Sequence, residues 1–396
     1  MKNKKNIIIT AVITFVVTAI LVSIVVGGGT AAFMSSLYSG NSKLDRIEKY
    51  IDFFYIYDYD KKKMTDAALA AYAAEVGDPY TAYINKEDFD QMKQSVQGDY
   101  VGIGVEVFVD KDNLITVMTA FDGSPAAESG IRSGDKIVKV EGIDVDKSNY
   151  NEAINMIKGE ATKVTGKKVN LTIKRGEELI EMQVARAKVI AITASGKMID
   201  DNIGYVRISD FADHTAEELE ASLKKIKKQN AKGLVIDLRN NPGGTLESVL
   251  DVADMFLPEG KIITIKDKQG KEKVYNSDKD FLDLPICVLI NGYSASAAEV
   301  LAGAISDHKR GTLIGEKSFG KGIVQTIFEL GDGTAFKVTT ATYYTPNGTC
   351  IHKQGITPDI EVSLDKEMEN VHVTNIPYEK DYQLKRAVEE LNLKIN

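Results

Sequence analysis

The chain has 396 residues, 43% hydrophobic and 27% charged, and its 49 Lys+Arg against 57 Asp+Glu leave a net charge of −8. Such values belong to a folded chain of about two or three domains, exclude general disorder, and argue against nucleic-acid binding, which needs a basic face. Two cysteines exclude a disulfide scaffold and a multi-thiolate metal site, and only four histidines (His214, His308, His352 and His372) point to a general base other than histidine.

Lys2, Lys4 and Lys5 precede an uncharged run from Asn6 to Val26. As a helix it would be about 31 Å long, enough to cross a bilayer once. The basic flank places residues 1–5 in the cytoplasm and everything after residue 40 outside. The run exceeds a usual signal-peptide core, so an uncleaved signal anchor is expected; cleavage near Thr30-Ala31-Ala32 would instead leave a secreted chain. No cysteine follows the run, which excludes a bacterial lipid anchor. Cys287 and Cys350 are expected as free thiols.

Residues 41–95 read mainly as helix. Leu44, Ile47, Ile51 and Phe54 fall at helical spacing, and Ala67 to Val76 forms a second helix stopped by Gly77-Asp78-Pro79. So short a region has to pack on another domain or a partner. From 96 to 190 the pattern changes to β-like runs: Val101 to Val109, Leu114 to Thr119, Lys136 to Glu141, Val169 to Lys174 and Glu181 to Ala185. Helical pieces lie near Ala126 to Gly130 and Asn151 to Ile157. From 195 to 365 strand and helix alternate. Ile203 to Ile208, Gly233 to Leu238 and Pro285 to Ile290 are apolar strands. Helices are expected at Thr215 to Gln229, Leu246 to Phe256 and Ala297 to Ser306. Fully apolar strands followed by helices predict a largely parallel α/β layer. Ile323 to Leu330 and Val338 to Tyr344 add later strands, and the charged tail ends in a helix, Tyr382 to Leu393.

Ser294 and Ser296 stand where a buried strand turns into a helix. A serine there is often only an N-cap. Here, however, the turn lies at a strand C-terminal end, where α/β sites form, and small alanines follow. Free N–H groups at the helix start can stabilise an oxyanion. A serine nucleophile needs a base, and a lysine serves when burial keeps it neutral. Lys321, among the glycines of Gly315 to Gly322, is the candidate. The same stretch nearly fits a phosphate loop, but Gly322 replaces the magnesium-binding hydroxyl and a strand follows instead of a helix. Asp237 to Gly244 follows a buried strand, and its glycines allow close backbone approach to a reacting carbonyl.

These residues resemble those of the carboxyl-terminal processing proteases, the S41 serine proteases with an embedded PDZ domain. The matching stretches are Asp78 to Tyr83, Gly102 to Val105, Ser124 to Lys136, Asp237 to Gly244, Ser294 to Glu299, Gly320 to Gln325 and Pro346 to Asp359. The resemblance implies a nucleophile at Ser296, a base at Lys321 and a glutamine, Gln325, that holds the lysine. It implies an oxyanion hole from the amides of Ala297 and Gly243, with Gly244 as the alternative donor. Ala298 departs from the family, where a third serine is common. No metal or cofactor is expected. The implied fold is α/β: a crotonase/ClpP-like protease core with an inserted PDZ β-barrel-like domain and an N-terminal helical arm. The expected organisation is anchor and linker 1–40, helical arm 41–95, PDZ domain 96–190, protease core 191–365 and tail 366–396, the tail packing on the core or a second subunit.

A PDZ domain binds a chain terminus by adding it as a strand. Val101, Gly102, Ile103 and Gly104 resemble its carboxylate-binding loop, and Arg175 is a candidate link from that domain to the core. The expected protein is a membrane-anchored serine endopeptidase that cleaves unstructured C-terminal regions of extracytoplasmic proteins. Its partners are then proteins or peptides with apolar free C-termini, together with a second copy of the chain. Two readings from other classes are a catalytically inactive PDZ scaffold and an acyl-CoA-handling crotonase. A trypsin-like PDZ protease would need a Gly-Asn-Ser-Gly-Gly motif and an upstream histidine, and both are absent.

Overall fold

The computed structural model describes residues 43–97, 99–110, 112–121, 123–132, 134–159, 166–368, 371 and 373–395. The expected anchor lies outside them, and among the described residues no helix is long and apolar enough to cross a membrane. The chain divides into two compact units at Ala68. In the first, the helix Lys43–Phe54 is joined to Lys61 by ion pairs from Glu48 at 2.8 Å and Asp52 at 3.0 Å. Its expected apolar face is there, but none of its residues is buried. The following helix runs Lys61–Ala74, six residues earlier than the apolar pattern suggested. Asp60 starts it by accepting the Lys63 amide at 2.9 Å, a cap that outweighs the polar lysines after it.

In the second unit the Asp78–Tyr80 turn leads into Ala82–Ile84, a strand where helix was expected. It pairs antiparallel with Ala335–Lys337 and joins the edge of a core sheet. The helix Lys86–Gln97 follows. The β domain has a sheet of Val105–Val109, Ile115–Ala120, Lys136–Val140, Lys168–Arg175 and Glu178–Ala185, in that spatial order, with Ile143–Asp144 beside the third. Ile115, Val117, Ile137, Leu171, Ile173 and the helix residues Ala153 and Ile157 form its separate core.

The core proper has two sheets. The first orders Ala194–Met198, Ile203–Ile208, Gly233–Asp237, Ile286–Ile290, Gly311–Gly315 and Ile360–Glu361, parallel after the first pair. Successive residues face opposite sides. Leu234 and Ile236 pack with the helices Thr215–Lys228, Leu246–Asp254 and Ala297–Asp307. Val235, Cys287 and Leu289 pack on the other side with Ala387, Val388 and Leu391 of the tail helix Tyr382–Ile395. Covering both faces explains why these strands are apolar throughout. Cys287, whose thiol burial pushes its pKa up to about 12, is a core residue and not a nucleophile.

The second sheet is antiparallel. Ala335–Tyr344 is paired by Ile323–Glu329, Gly260–Asp267 and Ala82–Ile84, and Glu272–Ser277 closes the far edge. The 260–277 hairpin was not among the expected strands: Ile262, Ile263 and Thr264 are buried in succession while Lys266, Glu272 and Lys273 stand exposed together, so apolar and polar residues come in blocks and not in alternation.

The tail is fixed by charge as well as packing. Arg239, 1% exposed, donates to Asp237 Oδ2 at 2.6 Å, Asp381 Oδ1 at 2.9 Å and Gln383 Oε1 at 3.1 Å. Asp381 also accepts the Leu384 amide at 3.0 Å and so starts the tail helix. Asp381→Ala would leave the buried guanidinium short of a counter-charge. We expect a loss of about 3 kcal/mol, read from the urea unfolding midpoint.

Candidate active site

The strand Ile286–Ile290 ends in a turn that enters the helix Ala297–Asp307. The two serines in that turn have different work. Ser294 is fully buried; its hydroxyl donates to the Leu238 carbonyl at 2.8 Å and accepts the Asn291 amide at 3.0 Å. Ser296 is half-buried and stands at φ +54°, in the left-handed region. A residue with a β-carbon there costs about 1–3 kcal/mol, strain that surrounding structure must hold and that clusters at functional sites. The Tyr343 hydroxyl holds it from one side, donating to the Ser296 carbonyl at 3.0 Å and to the Lys321 carbonyl. The Ala297 amide, in the first helical turn, has no hydrogen-bond partner among the described residues.

Facing this turn is the loop after Gly233–Asp237. Asn241 shapes it, donating to the Ile208 carbonyl at 2.9 Å, accepting the Gly243 amide on its side-chain oxygen at 2.8 Å and the Ala295 amide on its carbonyl at 2.9 Å. Gly243 is at φ +116°, and a β-carbon there would lie 2.8 Å from Ser296 Cβ and 3.1 Å from the Ala297 nitrogen. No side chain fits. Its amide is therefore beside the serine but occupied by Asn241. The Gly243 carbonyl accepts from Phe211, so the Gly244 amide, which points the opposite way across that peptide, is the one without a partner among the described residues. Both glycines thus stay candidates, one by position and the other by availability.

Lys321 lies in the turn before the strand Ile323–Glu329. It is half-buried, and its ammonium sits 4.9 Å from the centre of the Tyr80 ring. Asp78 sets that ring in place, accepting from the Tyr80 amide at 3.1 Å and from the hydroxyls of Thr81 and Thr339 at 2.6 Å each. Burial lowers the pKa of Lys321 from its usual 10.5, the nearby charge of Lys337 lowers it further, and Glu299 opposes both. Among the described residues no hydrogen bond joins Lys321 to Ser296. Nor does one join it to Gln325, whose side-chain amide donates to the Ile323 carbonyl at 3.4 Å. His308 is bonded to the Lys261 carbonyl at 2.7 Å and plays no part in this site.

Sequence reasoning missed two residues here. Glu299 is completely buried, and its carboxylate reaches both turns. The spacing Ser296-x-x-Glu299, that of a capping box, was its available signal. Tyr343 had none, since a tyrosine near the end of a strand is unremarkable until the chain is folded.

In the β domain, Gly102 closes the strand Asp99–Gly102, Ile103 is buried, and Gly104 turns the chain at φ +80°. A β-carbon on Gly104 would collide with Ser124 Cβ at 2.3 Å, so the Ser124 helix start and this loop are packed backbone to side chain. Val105–Val109 pairs on one side with Ile115–Ala120 and forms the edge of its sheet, with Val101 just before the loop. Arg175 is engaged inside this domain: it holds Asp135 through two bonds of 2.7 Å and the Gly130 carbonyl through a third. Among the described residues it makes no bond to the core.

Comparison with known proteins places these two regions. Peptidase family S41 matches residues 202–362, and a PDZ domain matches residues 101–185. The carboxy-terminal processing protease CtpA of Bacillus subtilis (strain 168) is 34% identical over 92% of this chain and 78% of its own. The carboxy-terminal-processing protease of Bartonella bacilliformis is 39% identical over 76% of this chain and 70% of its own. Among solved structures, a photosystem II D1 C-terminal processing protease is 31% identical, with a TM-score of 0.50, over 82% of this chain and 88% of its own.

One outcome follows from the packing around the serine. Gly243→Ala, which forces a methyl against Ser296, should lower kcat by about tenfold or more while the thermal midpoint moves by a few degrees.

Proposed function

Because the chain belongs to peptidase family S41, as a carboxy-terminal processing serine protease with a PDZ domain, we propose that it cleaves unstructured C-terminal regions of extracytoplasmic proteins with a Ser296–Lys321 dyad. The observation that carries this reading is a strained, accessible Ser296 beside Gly243, with a half-buried lysine of lowered pKa in the adjoining turn.

A free C-terminus adds as a strand along the open edge of Val105–Val109, and the amides around Val101, Gly102, Ile103 and Gly104 meet its carboxylate. Apolar terminal residues suit this edge. The chain then enters the core beside Ser296. Neutral Lys321 leaves the Tyr80 ring and takes the hydroxyl proton as Ser296 attacks the peptide carbonyl. Looser contact before substrate binds is common in such sites. The tetrahedral oxyanion is met by the Ala297 amide and by the Gly243–Gly244 turn, whose second donor comes free when Gly243 releases Asn241 or is Gly244 itself. Lys321 returns the proton to the leaving amine, and water hydrolyses the acyl-enzyme. Gln325, on the same strand as the lysine turn, restrains the motion of Lys321. Arg175 acts indirectly, keeping the Gly130–Asp135 segment of the PDZ domain in shape.

Residues 6–26 hold the enzyme to the cell membrane as a single-pass anchor, with the catalytic part on the outer side. The support is the basic flank and the length of the apolar run. The exposed apolar face of Lys43–Phe54 fits a second copy of the chain.

Ser296→Ala and Lys321→Ala should each lower kcat on a casein-like unfolded chain by about 10³-fold or more. Wild-type rates in either would remove the dyad. Without cleavage or labelling of Ser296 by a serine-directed covalent probe, the peptide-binding scaffold is the better reading. Only the neutral amine accepts a proton, so the rate should rise with pH through the lowered pKa of Lys321, at a pH below that of an ordinary lysine. A substrate with an amidated C-terminus should show a raised KM; equal cleavage would sink the terminus-sensing step.

A further inference from the structure

Four donors converge on the side chain of Glu299. Oε1 accepts from the Ser318 hydroxyl at 2.6 Å and the Gly320 amide at 2.7 Å; Oε2 accepts from the Ser296 amide at 2.9 Å and the Lys321 amide at 2.8 Å. A helix cap needs only the Ser296 bond. The other three come from the turn that carries Lys321, which runs from Gly311–Gly315 of the serine strand's sheet to Ile323–Glu329 of the other sheet. With Tyr343 holding the Lys321 carbonyl, the lysine backbone is fixed on both sides and only its side chain is left to move.

We propose that Glu299 is a positioning residue of the hydrolytic reaction, a buried clamp that sets the serine turn and the lysine turn in one register. The inference rests on the Ser296–Lys321 reading. A carboxylate is suited to this place because both its atoms only accept. In Glu299→Gln, either orientation of the amide turns an NH2 group toward two N–H or O–H donors. Aspartate is one methylene too short to reach both turns.

The clamp also sits in the electrostatic surroundings of the base. Lys321 is faced by Glu299 from the serine helix, by Lys337 from the strand Ala335–Tyr344 and by Tyr80 from the arm, while the Tyr343 hydroxyl holds its carbonyl. His352 comes close from the loop after that strand, its backbone against Gly322. Of these, the charge of Glu299 favours the protonated lysine and that of Lys337 disfavours it.

The test uses the full chain, with kcat and KM on an unfolded casein-like substrate across pH, thermal melts for folding, and labelling of Ser296. Glu299→Gln should lower kcat at least about thirtyfold with KM within about threefold, and labelling should slow in parallel. Removing its charge should move the acid limb to lower pH. A clamp that served the fold alone would change the melt and the amount of active enzyme but leave kcat per labelled Ser296 in place. Folded Glu299→Gln with kcat per labelled Ser296 within threefold of wild type overturns the proposal. Should Glu299→Gln fail to fold, Ser318→Ala decides: it removes one donor, keeps the charge, and should lower kcat about threefold to tenfold with the limb unmoved. An unchanged rate there overturns the clamp. Ser296→Ala and Lys321→Ala run beside these variants. If they cleave like wild type, the dyad itself is wrong; if they are dead while Glu299→Gln is active, only the positioning role falls.

Discussion

A guanidinium cannot be taken out of water unless its charge is matched, and Arg239 is almost wholly out of water. Its five donors are answered by Asp237 at a strand end and by Asp381 and Gln383 at the start of the tail helix, while its own carbonyl accepts from Arg207 at 3.1 Å. Much else follows from this arrangement. Asp237, fully buried, has its carboxyl held below the ordinary range by Arg239 and Arg207 against the opposing effect of burial. The tail helix is capped and aimed at the second face of the sheet. The loop from Asn240 to Gly244 leaves the same point with its entry direction already set.

From that loop the site is assembled by close backbone approach. Gly243 reaches Ser296 at a distance where a methyl group would not fit, and Asn241 ties the loop to both the neighbouring strand and the serine turn. On the far side, Glu299 and Tyr343 tie that turn to the lysine turn. Two sheets with separate hydrogen-bond ladders are thereby joined through a few buried polar atoms, and the strain at Ser296 is held by all of them together. The lysine is left with a different kind of surroundings: an aromatic face, a neighbouring cation and partial burial, all around one amine.

The strands at 203–208, 233–237 and 286–290 and the helices after them were plain in the sequence, because burial on both faces writes long apolar runs. Ser296 and Lys321 were visible through short glycine- and alanine-rich motifs at element ends. The 260–277 hairpin was not, since its buried residues 262–264 are consecutive and its charged residues cluster toward the turn, so neither strand alternates. Ala82–Ile84 was hidden for a related reason: three residues are too few to show alternation, and only pairing with Ala335–Lys337 makes them a strand. Gln325 shows the limit on the site. A motif identifies the residue, but which carbonyl its amide reaches depends on strand register and on the bulge between Val324 and Gln325.

The position of the tail also bears on how the molecule is made. Chains are synthesised from the N-terminus, and domains fold as they emerge. Arg239 and the loop beyond it emerge long before Asp381 and Gln383, which stand near the end of the 396-residue chain. Until those residues arrive, the guanidinium lacks one of its two carboxylates and the sheet lacks the cover of Ala387, Val388 and Leu391. A fold built this way completes the surroundings of Arg239 only after residues 142 positions further along the chain have followed it.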